Sequence, residues 1–280
     1  MRRFSARTWW APAVAVLGLL SVYPLVFAVE VSLRTPAGYG LANFARLLAD
    51  RLFLISLGQT LVYTIGALAA EFTLGFALAL LVSREFRGRR VLRSILLIPM
   101  LLPPVVVAVI WRLILNPEFG VLNGALRSWG VDTSRLTWAA AEDTAMLSVI
   151  LVDVWQWTPF LFLLLLAGLQ GLPVEPFEAA RVDGASRWQV FRRLTVPMLR
   201  PVIAIAVLLR LMDLLRVFDQ IFILTQGGPG FATETVTLYI YRTAFRFYNF
   251  GYAAAMSFVL LAAITVIARA FLRLLEEQPA

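Results

Sequence analysis

From Arg7 to Glu30 the chain runs 22 residues without a charge. Runs free or nearly free of charge return at about Ser56–Val82, Ser94–Leu115, Thr144–Leu172, Val202–Thr225 and Gly251–Leu272. A helix needs about 20 apolar residues to cross the hydrocarbon core of a bilayer. A water-exposed surface could not hide six such stretches, so the pattern predicts an all-α, polytopic membrane protein. Its spans are expected near residues 11–32, 56–82, 94–115, 144–172, 202–225 and 251–272, within a single membrane domain covering residues 1–280. A secretory signal is a poor match for the first run, because signal cores are usually about 7–15 residues long and Tyr23-Pro24 interrupts the place where cleavage would be sought.

Composition excludes several functions. Hydrophobic residues make up 60% and charged residues 15% of the 280 positions, against roughly 45–50% and 25% in soluble domains. The net charge of +8 comes from 25 basic residues, all arginine, which lie mostly in short segments between the apolar runs. That distribution gives no contiguous basic face, so no nucleic-acid partner is expected. Without Cys there is no thiolate or disulfide chemistry, and without His the usual acid–base group and metal ligand at neutral pH is missing.

Six spans place both termini on one side. Arg2, Arg3, Arg7, Arg84, Arg87, Arg89, Arg90 and Arg93 fall on that side, as do Arg181, Arg187, Arg192, Arg193, Arg200, Arg269 and Arg273. Only Arg34, Arg46, Arg51, Arg127, Arg135, Arg242 and Arg246 fall on the other. The positive-inside rule then predicts cytoplasmic termini.

The segment at residues 173–201, between the fourth and fifth runs, carries the most specific pattern. Pro173 and Pro176 suit the first turn of a helix, where a missing N–H costs nothing, and Gly184 suits its end. A second helix is expected to begin at Ser186, an N-cap residue, and to stop at Pro197. Ala179 and Ala180 allow close approach of another backbone, Glu178 and Asp183 offer anionic contacts, and Trp188 and Phe191 give an apolar face. Docking into a protein groove and lying along the bilayer surface both fit these residues.

Glu178-Ala179-Ala180, Asp183-Gly184-Ala185, Phe191, Pro197 and Pro201 together resemble the EAA loop of the membrane subunits of binding-protein-dependent ABC importers. Three further stretches resemble the sugar-importing branch of that family. They are Leu102-Pro103-Pro104 with Trp111, Trp155-Gln156-Trp157-Thr158-Pro159-Phe160, and Phe218-Asp219-Gln220 followed by Thr225-Gln226-Gly227-Gly228-Pro229, where Gln226 stands in place of the usual Gly. The resemblance implies a type I importer permease in a bacterial or archaeal cytoplasmic membrane. It implies that Glu178, Ala179, Ala180, Asp183 and Gly184 couple the permease to an ATPase. The implied partners are a second homologous permease subunit, two ATP-binding subunits and an external solute-binding protein that delivers a sugar, a di- or oligosaccharide. ATP and Mg would sit on the ATPase subunits, with no cofactor on this chain, which has no Lys and hence no phosphate-binding Gly-Lys loop.

Charges inside the apolar runs are the candidates for the solute route, because an ionisable group at mid-bilayer costs at least ~2.5–3.5 kcal/mol unless it faces protein or water. Arg210, Asp213, Arg216 and Asp219 recur every third residue in the fifth run, and Gln220 follows. Asp153, Gln156 and Trp157 occupy a similar depth in the fourth run, and Glu71 lies on a small-residue stripe of the second with Thr64, Ala67 and Gly75. Ion pairs that staple helices together are the competing explanation for each residue. A polyol or glycerol phosphate importer, an intramembrane acid–base enzyme using Asp153, Asp213 or Asp219, and a stand-alone channel are the other functions open at this point.

Overall fold

Apolar character on every side is what the first long helix shows: α1 (Ala6–Leu33) keeps Leu17, Leu19 and Leu20 exposed all round, which suits a helix solvated by lipid. The computed structural model describes residues 6–35, 38–134 and 136–276. Arg2, Arg3 and Arg135, counted above for topology, lie outside the described residues. The long helices are α1, α3 (Arg51–Ser83), α7 (Glu142–Gln170), α10 (Val196–Leu214) and α13 (Phe250–Glu276). Among the described residues, five helices are long and apolar enough to cross a bilayer, and a bent pair makes up to six. The short helices are α2 (Ala42–Ala49), α4 (Arg89–Leu101), α5 (Pro104–Ile114), α6 (Val121–Ser128), α8 (Glu175–Val182), α9 (Arg187–Val190), α11 (Asp219–Leu224) and α12 (Val236–Tyr241).

Two of the expected spans are broken. The run at 94–115 is α4 plus α5, bent by 96° at Leu102-Pro103, because two successive prolines remove consecutive N–H donors and force Leu102 into an extended conformation. The run at 202–225 ends its first helix at Leu214 and restarts at Asp219. No Pro or Gly marks that break. Arg216 N–H bonds back to the Asp213 carbonyl at 3.0 Å, and the Thr237 hydroxyl donates to the Val217 carbonyl that the break releases.

The expected stop at Pro197 does not occur. The chain runs from α9 into α10 through a wide π turn at Phe191–Thr195, in which Val196 N–H reaches the Phe191 carbonyl. The wider turn moves the preceding carbonyls away from the proline ring, which removes the clash that normally ends a helix there.

The chain forms two compact units, one comprising the residues up to Leu54 together with Tyr239–Ala263, the other Ile55–Leu238 with the chain from Ile264. In the larger unit α7 is central and packs against α4, α5, α10 and α11. Ala79, Val82, Leu161, Phe162, Leu165, Leu166 and Ala206 form a buried cluster at the meeting of α3, α7 and α10. Glycine permits this approach: a Cβ at Gly75 would lie 3.0 Å from the Phe162 backbone nitrogen and 3.3 Å from the Thr158 carbonyl oxygen. In the smaller unit the Asp50 carboxylate accepts hydrogen bonds from Tyr239 Oη at 2.7 Å and Tyr252 Oη at 2.6 Å. Burial pushes that carboxyl up, but the two phenols and the Phe53 and Leu52 amides outweigh burial and hold it below its ordinary value.

Candidate functional site

Three helices of the larger unit converge on one guanidinium. Arg210 on α10 is buried. Its Nε donates to Glu71 Oε2 at 2.6 Å and its Nη2 to Glu71 Oε1 at 2.9 Å, a two-pronged grip on α3. Nη2 also donates to Asp153 Oδ2 on α7, and Nη1 to Asp213 Oδ2 at 2.7 Å one turn along α10. The Trp157 ring lies 5.1 Å from the guanidinium carbon, so the face of the cation is covered as well as its edge. Four of the five N–H groups of Arg210 are thereby engaged, which leaves it no free fork for an anion.

A second polar chain adjoins the first. Gln220 Nε2 donates to Gln156 Oε1 at 2.7 Å, and Gln156 Nε2 donates to the Leu102 carbonyl at 2.9 Å, which satisfies a backbone acceptor at the α4–α5 bend. Tyr63, Asp153, Trp157, Asp213, Phe218 and Asp219 line a cavity of about 150 Å³ beside this chain. The Asp213 side chain is 52% exposed even though one oxygen is held by Arg210. Arg216 and Asp219 are exposed at the rim, with Arg216 Nε donating to the Met212 carbonyl at 3.0 Å. The arrangement offers carboxylate and amide acceptors next to aromatic faces.

The 173–201 segment folds as two short helices around a left-handed turn. Gly184 has φ +73°, and Ala185 N–H bonds the Ala180 carbonyl at 2.9 Å, which closes α8 in the manner of a Schellman motif. Ser186 caps α9 with a reciprocal bond from its own N–H to Gln189. Glu178, Ala179 and Asp183 are exposed and Ala180 is half-buried. Val182 on the same helix is 89% exposed.

Residues 71–278 match the model of a family described as the binding-protein-dependent transport system inner membrane component. The chain belongs to that family. It is 38% identical over 275 residues to a probable ABC transporter permease protein, y4oQ, of Sinorhizobium fredii, covering 95% of this chain and 88% of the relative. It is 37% identical over 269 residues to the trehalose/maltose transport system permease protein MalF of Thermococcus litoralis, covering 91% and 89%. In fold it matches a chain of a bacterial ABC transporter involved in the import of the acidic polysaccharide alginate, with a TM-score of 0.84 at 24% identity over 96% of this chain and 95% of that one.

The permease is thus a transport component and not an enzyme, and the intramembrane acid–base reading falls. Its structure brings Asp153, Gln156, Trp157, Arg210, Asp213 and Gln220 together around one cavity, with Asp213 half exposed to it and Arg216 and Asp219 at its edge. The helix break at 215–218 undoes the expected three-residue series, so Arg216 does not pair with Asp213 or Asp219 along one helix. Glu71, conspicuous in the sequence only as a lone carboxylate on a small-residue stripe, is the two-pronged partner of Arg210. Tyr63, which lines the cavity, carried no signal in the sequence that set it apart. Gln226 takes the left-handed conformation, φ +52°, that its position demands.

Proposed function

We propose that this permease imports a neutral sugar, with the cavity bounded by Asp153, Trp157, Asp213 and Asp219 as a transient station on the route. The observation that carries the reading is the engagement of four of the five Arg210 N–H groups by carboxylates. With its donors committed to Glu71, Asp153 and Asp213, the site holds a surplus of acceptors, which suits hydroxyl donors. Aromatic faces at Trp157 and Phe218 suit sugar rings. A phosphate or carboxylate would meet Asp153, Asp213 and Asp219 with only Arg216 at the rim to receive it, which argues against glycerol phosphate. The trehalose/maltose relative supports a di- or oligosaccharide.

The working assembly in this reading contains a second homologous permease, two ATPase subunits that carry ATP and Mg, and an external solute-binding protein. Glu178, Ala179, Ala180, Asp183 and Gly184 form the ATPase contact, a role supported by the exposure of α8 and the fixed turn after it. Arginine asymmetry supports cytoplasmic termini and a cytoplasmic 173–201 loop. Labelling of Arg187→Cys by an impermeant reagent from outside intact cells would contradict that orientation. The substrate reading is tested by ATPase activity of the reconstituted complex. Neutral disaccharides should stimulate it and glycerol phosphate should not, and the reverse pattern would refute the assignment.

A further inference from the structure

Arg84 at the end of α3, Arg181 on α8 and Arg187 on α9 line one groove of about 880 Å³, and no acidic residue lines it. None of the three has an ion-pair partner among the described residues. An aromatic ladder leads from the groove along the apolar length of α3. The Trp188 ring, 66% exposed, stacks on Phe191 at 5.5 Å, Phe191 meets Phe76 at 5.8 Å, and Phe76 stacks on Phe72 at 5.7 Å. Unpaired guanidinium groups where a membrane helix leaves the hydrocarbon are placed to hold phosphate, and a half-exposed Trp marks headgroup depth. We propose that this groove binds an anionic phospholipid, its headgroup phosphate between Arg84, Arg181 and Arg187 and an acyl chain along Phe191, Phe76 and Phe72.

The ladder selects a lipid over a free phosphate, because a soluble anion gains nothing from a run of four aromatic rings leading onto an apolar helix. The groove is also separate from the face assigned above to the ATPase. Phe177 and Arg181 share one side of α8 at i, i+4 spacing and line the groove, whereas Glu178 and Val182, one residue further round, do not. A lipid seated there would brace α8 against α3 from behind the coupling surface. The site does not depend on the identity of the transported solute.

The test uses the assembled transporter, purified and returned to nanodiscs of phosphatidylcholine with phosphatidylglycerol titrated in, with lipid retention read by native mass spectrometry. The wild type should retain phosphatidylglycerol and not phosphatidylcholine. Each arginine is expected to contribute about fivefold in affinity, so the triple variant R84Q/R181Q/R187Q should lose on the order of 100-fold. The control R87Q/R89Q/R90Q removes equal charge outside the groove and should retain the lipid. If the triple variant does not assemble, R187Q alone should show the fivefold loss. Equal retention of both lipids, equal loss in the control, or displacement by inorganic phosphate at millimolar levels would overturn the proposal. So would loss of ATPase subunits from the triple variant in phosphatidylcholine alone, which would make the groove part of the ATPase seat.

Discussion

Arg210 and Glu71 are 139 residues apart in sequence and joined by two hydrogen bonds of 2.6 and 2.9 Å, with both side chains buried. The pair ties α10 to α3, and Asp153 adds α7 to the same knot. A buried pair of this kind is weak evidence for stability against an apolar substitute, but breaking it from one side strands a charge. Arg210→Met would leave Glu71 and Asp153 buried without a cation and should therefore lower stability by about 3–5 kcal/mol, seen as a lower melting temperature of the detergent-solubilised complex. A melting temperature equal to wild type would show that the pair is dispensable.

The Gly75 contact makes a second prediction. A Cβ there meets the backbone nitrogen of Phe162, an atom that cannot swing aside. Gly75→Val should cost ~1–3 kcal/mol through forced separation of α3 and α7. Gly124→Val, where nothing lies within 4 Å, should cost only its helix propensity, on the favourable side of zero or near it. Thermal unfolding of the two variants side by side makes the comparison.

At Gly184 the conformation alone is at stake. Nothing lies within 4 Å of the point a Cβ would occupy, yet φ is +73°. Gly184→Val should strain the turn by ~1–2 kcal/mol or reshape it, while Gly184→Asn should be better tolerated. In a reconstituted system the Val variant should hydrolyse ATP with reduced uptake per ATP. Normal uptake by Gly184→Val would remove the turn from the coupling path.

Asp50 gives a pH dependence. Its folded-state carboxyl lies below the ordinary value of 3.8, so its stabilisation is present above that value and is lost as pH falls through the lowered one. Acid destabilisation below about pH 4 should shrink in Asp50→Asn, which keeps one acceptor for Tyr239 and Tyr252 but cannot protonate. Melting curves of wild type and Asp50→Asn at pH 5 and pH 3 supply the check. An unchanged acid response would show that other carboxylates dominate.

Much of this architecture was legible from residues because hydrocarbon solvent imposes a coarse rule, about 20 apolar residues per crossing, and the prolines at 103 and 104 announce that something happens there. The interruption at 215–218 was not legible. Leu215-Arg216-Val217-Phe218 contains no helix breaker, and the break is stabilised by Thr237 from a distant segment. Pro197 misled for the opposite reason, since a local rule was met by a wider turn. Asp153, Arg210 and Asp213 stood out as charges in apolar runs, but that Glu71 closes the network is a long-range fact that spacing along one helix cannot express.

Asp213 belongs to the Arg210 network and is half exposed to the cavity, so it tests most directly whether that network borders the route of a neutral solute. Arg210 keeps Glu71 and Asp153 as partners when Asp213 is neutralised, so Asp213→Asn should assemble near normally. Uptake kinetics normalised to assembled complex should then show a changed apparent affinity or solute preference, with anionic sugars gaining relative to neutral ones. Unchanged affinity and preference, with uptake falling only in proportion to lost assembly, would contradict the route and leave the network as a staple between helices.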